Sequence, residues 1–319
     1  MEGVVNSLDG SHLAYELRLD YLQDATDLER RLHQTLTRLH LSQSIATCRR
    51  AEAGGFFQGT VAQQIELLVA AVRAGCQWVD LEIESVLSAG PLVLQQFAPA
   101  KVLVSYHNYR ETRSLKGKYR QLARLPVAAI KIATHARRLR DNLQIHHLLK
   151  AHRRQSPKLV ALAMGPCGIP SRVLALQWGS YFAYASAGNH AGTAAGQLPV
   201  EHLRSVYRAD RLDYRTRLYG VVGSHASMSL SPAMQNAAFQ AKRVNAVYLP
   251  CETKQLADFL ALARELNFLG FSVTMPFKRA ILRHLDWIDP LAARIGACNT
   301  VAFRHGKHLG WNTDAAAVV

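Results

Sequence analysis

The stretch Pro126-Val127-Ala128-Ala129-Ile130-Lys131-Ile132-Ala133-Thr134 is a short, nearly continuous apolar run. Such a run marks a strand buried on both faces of a parallel sheet. Val102 to Asn108 and Lys158 to Met164 have the same character. Helical patterns separate these runs over short connections, and that alternation means βαβ units. One residue in the first run is out of place. An unpaired ammonium at Lys131 would be costly to bury and would tend to shed its proton. A neutral lysine attacks ketones and forms Schiff bases. The plain alternative is a lysine at a frayed strand end with its amine in water.

The 319 residues are 49% hydrophobic and 19% charged, a globular composition whose length suggests about two domains. No apolar run reaches the ~20 residues of a membrane span, and the start, Met1-Glu2-Gly3-Val4-Val5, does not read as a signal peptide. Five scattered cysteines form no metal spacing, which points to a reduced, cytoplasmic protein. The net charge of +15 raises the question of nucleic acid. The basic residues are dispersed over helical segments without interleaved aromatics, so a solvated surface is the preferred reading. Attraction of small anionic substrates would also fit.

Met1 to Ala14 is weakly patterned and reads as helical. Tyr15 to Leu22 alternates strictly, with Glu16, Arg18 and Asp20 on one face. Alternation alone favours solvent exposure of that face; the interior end of a barrel is the alternative. Thr26 and Glu29 suggest a capping box ahead of a stripe of Leu28, Leu32, Leu36 and Leu39. Further strands are expected at Ser44–Arg49, Trp78–Ile83 and Tyr181–Ser186, giving seven in this part. Polar residues gather at their C-terminal ends: Arg49, His107, Lys131 and Met164-Gly165 onward. Barrel enzymes build their sites there. No dinucleotide fingerprint follows any of these strands.

Glu16-Leu17-Arg18-Leu19-Asp20, Thr47-Cys48-Arg49 with Gly54-Gly55, Val79-Asp80-Leu81-Glu82, Ser105-Tyr106-His107-Asn108, Ile130-Lys131-Ile132-Ala133, Met164-Gly165 with Ser171-Arg172, and Gly196-Gln197 occur in that order. The series resembles type I 3-dehydroquinate dehydratase, a TIM (β/α)8 barrel, over residues 1–205. The resemblance implies that Lys131 forms an imine with the substrate ketone and that His107 is the general acid/base. It places Arg172 on the substrate carboxylate, Glu16, Arg18 and Arg49 around the hydroxyls, and Thr193 with Gln197 on a closing loop. Nearby arginines would favour the neutral amine of Lys131. No cofactor is implied for this reaction. Two departures stand out. Ala53 occupies the position of the family's usual glutamate before the double glycine, with Glu52 one place earlier. The barrel's first strand also has no counterpart ahead of Glu16, which would leave two open edges.

Pro199 to Arg217 reads as a polar, helical stretch rich in arginine, with 206–216 as the connector between domains, and the chain then resembles the shikimate dehydrogenase substrate-binding domain over 217–319. The residues that carry this are Ser227 to Pro232, read as a serine-rich helix cap, Met275-Pro276-Phe277-Lys278, Gly296 to Val301 and Gly310 to Asp314. The resemblance implies a catalytic pair of Lys278 and Asp314, with Thr274 and Asn299 beside it and Ser229 and Ser231 on the substrate carboxylate. It also implies NADPH, but no Rossmann domain follows, so a fragment cut at both ends is expected. The reading is a bifunctional shikimate-pathway enzyme acting on 3-dehydroquinate and 3-dehydroshikimate, with no nucleic acid or membrane partner and oligomerisation left open. Its dehydrogenase half would bind but not reduce. The rival is a non-catalytic remnant retaining the fold.

Overall fold

The computed structural model describes residues 4–7, 13–38, 43–187 and 194–315. Eight strands make the first sheet: β1 (Val4–Ser7), β2 (Leu13–Arg18), β3 (Ser44–Thr47), β4 (Trp78–Glu82), β5 (Lys101–Asn108), β6 (Ala129–His135), β7 (Lys158–Met164) and β8 (Phe182–Ala185). β2 to β7 are successive parallel neighbours, as the apolar runs require. The seven strands expected from the sequence are all present. Tyr181 N–H, just ahead of β8, donates to Leu159 C=O on β7 at 2.8 Å, which brings the two ends of the sheet together.

The place expected to be open is filled. β1 lies between β2 and β8, antiparallel to both, so residues 4–7 are a strand and not the expected helix. Only residues 8–12 separate β1 from β2. A parallel connection needs a dozen or more residues, whereas an antiparallel one can be short. Chain length therefore fixes the direction of this strand.

Outside the barrel lie α1 (Leu28–Arg38), α2 (Val61–Arg73), α3 (Ile83–Ala89), α4 (Leu115–Leu122), α5 (Asn142–His152) and the short α6 (Ile169–Val173) and α7 (Ala175–Trp178). Leu28, Leu32 and Leu36 are buried as the stripe predicts; Leu39 falls outside the described residues. The expected box at Thr26 does not form, because Thr26 is held by Asp24 two residues earlier. Thr60 and Gln63 cap α2 reciprocally instead.

Alternation along the strands separates two cores. Ile130 and Ile132 of β6 face the helices with Leu17, Val79 and Val104, while Ala129 and Ala133 face inward with Ile45, Trp78, Leu103, Val160 and Phe182. Lys131 shares the inward face. The strand pairing sets Thr47 beside Asp80, Glu82 beside Ser105 and Ser105 beside Lys131, so a polar layer sits on an apolar floor.

The second sheet holds β9 (Arg217–Gly223), β10 (Ala246–Glu252), β11 (Phe268–Val273), β12 (Trp287–Ile288), β13 (Thr300–Arg304) and β14 (Lys307–Trp311) in the order β10-β9-β11-β13-β14-β12. α8 (Ser231–Ala241), α9 (Leu256–Glu265) and α10 (Pro290–Ile295) accompany it. Of the stretch expected to be helical, residues 200–206 are helical and 207–216 run in turns and irregular chain. No side chain caps α8 at its N-cap residue, although Ser229 Oγ accepts from Ser231 N–H at 3.2 Å. Among the described residues no helix is long and apolar enough to cross a membrane.

Val5→Pro removes a backbone donor from the strand between β2 and β8. It is expected to lower stability by about 1–3 kcal/mol in urea denaturation, the cost of stranding a buried polar partner. An unchanged midpoint would show that β1 does not close the sheet.

Candidate active site

Asp80 is the centre of the polar layer. It is fully buried, and its Oδ2 accepts from Lys131 Nζ and from Arg49 Nη2, both at 2.9 Å. Its Oδ1 accepts from Ser105 Oγ at 2.5 Å, and Arg49 Nη1 donates to Ser105 Oγ at 2.8 Å. Burial would raise the Asp80 carboxyl, but Arg49 and Lys131 outweigh it and hold the group well below the usual carboxylate range. Arg49 also approaches Glu82 at 3.4 Å. Burial raises the Glu82 carboxyl, with Arg49 opposing.

Lys131 is 6% exposed, so its amine is not in water at a strand end. Besides Asp80 it approaches Glu16 Oε1 at 3.8 Å, and it sits 4.1 Å from the centroid of the Tyr184 ring. Its ion-pair partners are therefore carboxylates, where arginines were expected. Glu16 accepts from Thr47 Oγ1 at 2.9 Å. Arg18 forks onto Asp20 at 2.8 and 2.6 Å. Glu16 and Asp20 are buried, at 5% and 6% exposure. The exposure favoured by alternation is thus corrected: the interior of this barrel is lined by polar groups and looks like solvent to a pattern of period two.

His107 stands on β5 opposite Ala133, one inward step beyond Ser105 and Lys131. Burial, then Arg49 and Lys131, push its imidazole well below 6.5, so it is a neutral base at physiological pH. Its Nδ1 is buried and has no partner among the described residues. Glu52 does not supply one; it points outward and pairs with Arg50 at 3.0 Å. Tyr109 lies nearly parallel to the His107 ring at 5.9 Å and donates its hydroxyl to Ala53 C=O at 3.0 Å. A side chain at Gly54 would strike that tyrosine, since an added Cβ would come within 2.4 Å of it.

Arg172 on α6 is 3% exposed and forms no ion pair among the described residues. Nη2 donates to Ala195 C=O at 3.2 Å, and Nε is buried without a partner. Burial lowers its pKa to about 10, which still leaves a cation. An uncompensated buried guanidinium is stable only beside a space that an anion can enter. That space exists: Glu16, Arg18, Arg49, His107, Lys131, Arg172 and Gln197 border one cavity, with Tyr109 and Tyr184. Thr193 lies outside the described residues.

In the second sheet, Lys278 Nζ donates to Asp314 Oδ2 at 2.5 Å, and Asn299 Nδ2 donates to Asp314 Oδ1 at 2.5 Å. The hydrogen bond from Lys278 keeps the Asp314 carboxyl below its ordinary value. Thr274 follows β11, and its methyl packs where a Cβ on Gly223, the last residue of β9, would stand. The Ser229–Ser231 turn and the Thr274–Lys278 loop therefore leave the same edge of two parallel strands. The two serines bond to each other's turn and not to the Lys278 group among the described residues.

Sequence reasoning named no role for Asp80, Ser105, Tyr109 or Tyr184. For Asp80 the signal was a carboxylate inside a buried strand beside Glu82. Tyr184 gave none, being an aromatic in a strand.

Residues 8–213 match the family described as type I 3-dehydroquinase, and residues 221–301 match the shikimate dehydrogenase substrate binding domain. The chain belongs to the type I 3-dehydroquinase family. A chloroplastic bifunctional 3-dehydroquinate dehydratase/shikimate dehydrogenase of Arabidopsis thaliana is 33% identical over 306 residues, 94% of this chain and 50% of that protein. A 3-dehydroquinate dehydratase of Dehalococcoides mccartyi is 34% identical over 205 residues, 63% of this chain and 88% of that protein. The dehydroquinate dehydratase and shikimate dehydrogenase structure from S. pombe shares the fold, with a TM-score of 0.51 at 24% identity, covering 96% of this chain and 60% of that one. The chain thus spans about half the length of its Arabidopsis relative. Relatives of the second part alone are named shikimate dehydrogenase (NADP(+)). The sequence contains no G-x-G-x-x-G turn.

The pKa of His107 in the folded state is lower than in the unfolded one, so the unfolded state takes up the extra proton first as pH falls. Its contribution to stability is complete above about pH 6.5 and is lost below it. Urea denaturation at pH values from about 7.5 to about 5 should therefore show a smaller decline for His107→Asn than for the wild type. Equal declines would mean that His107 is not held neutral by burial.

Proposed function

We propose that the barrel dehydrates 3-dehydroquinate to 3-dehydroshikimate through an imine on Lys131. The observation that carries this is a buried lysine amine in one cavity with a neutral histidine and an uncompensated arginine. Lys131 Nζ passes its ammonium proton to His107 and, as a free amine, adds to the substrate ketone; His107 returns the proton to the carbinolamine hydroxyl, which leaves as water to give an iminium. His107 takes the proton from the adjacent carbon, and the electron pair moves into the iminium. The C–O bond of the β-hydroxyl then breaks, and its oxygen leaves as water with the proton from His107. Hydrolysis of the imine releases the product and regenerates the lysine. Arg172 binds the substrate carboxylate, as its unpaired buried charge supports. Glu16, Arg18, Arg49 and Gln197, with Thr193 on the closing loop, take the hydroxyls. Asp80 holds Lys131 and Arg49 in place.

The barrel is assigned to residues 1–205, the connector to 206–216 and the second domain to 217–319. That domain binds 3-dehydroshikimate or shikimate, with Ser229 and Ser231 on its carboxylate and Thr274, Asn299, Lys278 and Asp314 around the reacting hydroxyl. NADPH is the reductant of that half in the complete reaction. The five unpaired cysteines support a reducing, cytoplasmic setting, and the partners are small molecules, not nucleic acid or membrane.

Borohydride reduction with 3-dehydroquinate, followed by peptide mass mapping, is expected to place an adduct on Lys131. Lys131→Ala should abolish adduct and turnover, and His107→Ala should slow turnover roughly 10²–10⁴-fold. Folded protein without an adduct would favour a non-catalytic remnant, a reading that Ala53 and the unpartnered His107 Nδ1 support. Separately, titration calorimetry with shikimate should show binding that Ser231→Ala weakens while barrel turnover is unchanged. Equal binding by that variant would remove Ser231 from the carboxylate.

A further inference from the structure

Tyr184 has no part in the steps above, yet it borders the reacting nitrogen. It lies on β8 at 6% exposure, and its ring centroid is 4.1 Å from Lys131 Nζ. Phe182 packs edge-on against that ring at 5.5 Å and fixes its plane. The hydroxyl is buried and has no hydrogen-bond partner among the described residues. The side chain lines the cavity that His107 and Arg172 also line. Burial pushes the phenol well above 10, so it stays a proton donor at neutral pH. A buried phenol with no acceptor is costly, and a ligand oxygen would relieve the cost.

We propose that Tyr184 is a further catalytic residue: its ring face stabilises the cation at Lys131 Nζ, and its hydroxyl donates to an oxygen of the bound substrate. This rests on the Schiff-base reading. The carbinolamine is neutral and gains nothing from the ring quadrupole, whereas the iminium does. The ring therefore pulls the intermediate forward, in the same sense as Asp80 and Glu16. A cation over an aromatic face is worth roughly a factor of 2–30 in such an equilibrium.

The test compares Tyr184→Phe, which keeps the ring, with Tyr184→Leu, which loses ring and hydroxyl, each confirmed as folded by thermal melting. If Tyr184→Leu does not fold, Tyr184→Met carries the same comparison. Tyr184→Phe is expected to raise KM for 3-dehydroquinate about tenfold with kcat nearly kept. Tyr184→Leu should in addition lower kcat and the rate of borohydride trapping on Lys131 by roughly tenfold. A wild-type KM in Tyr184→Phe overturns the hydroxyl's role. Trapping in Tyr184→Leu as fast as in Tyr184→Phe overturns the ring's role and leaves the Schiff base standing. Wild-type protein that traps nothing overturns the Schiff base itself, and this assignment with it.

Discussion

One carboxylate oxygen, Asp80 Oδ2, accepts from two cations that come from different strands, Lys131 and Arg49. Two positive groups buried this close would repel strongly in a medium of low dielectric. Asp80 turns that repulsion into a fixed arrangement, and Ser105 locks its other oxygen. Without it Lys131 would face Arg49 with only Glu16, 3.8 Å away, to offset its charge. The apolar floor below and the helices outside make the barrel; this charge network makes it a barrel with a defined interior.

The network also explains what remains unpaired. Glu16, Asp20, Asp80 and Glu82 each have a partner within the polar layer. Arg172 has no carboxylate, and His107 Nδ1 and Tyr184 Oη have no partner among the described residues. Internal pairing is satisfied on the side of β2 to β4, and open valences collect on the side of β5, α6 and β8 around the cavity. A ligand with a carboxylate and several oxygens complements that open side.

Much of the architecture was readable in the chain. Continuous apolar strands spaced by helices allow little besides a parallel sheet, and Lys131 stood out because it broke one of them. The polar face of β2 misled, because period two reports only that a face is polar and not what lies against it. Asp80 was hidden for a related reason: its partners are 31 and 51 residues away, at distances that no local pattern reports. β1 was missed because four residues are too short to show a period. The Val4-Val5 pair and the Asp9-Gly10 turn dipeptide are its only cues in the sequence. In the second part, the Lys278–Asp314 pair was legible from spacing to a motif, while its tie to Asn299 needed the fold.

The direction of β1 has a further consequence. Val4 pairs with Ala185 at the end of β8 and Ser7 with Phe182 at its beginning, so β1 runs downward while every other barrel strand runs upward. The chain thus enters this sheet from the rim that holds the cavity. Anything joined ahead of Val4, whether a purification handle or a natural extension, starts on the side of the sheet where the cavity lies. In an ordinary parallel barrel the first strand enters from the floor, and such an attachment would stay clear of the mouth.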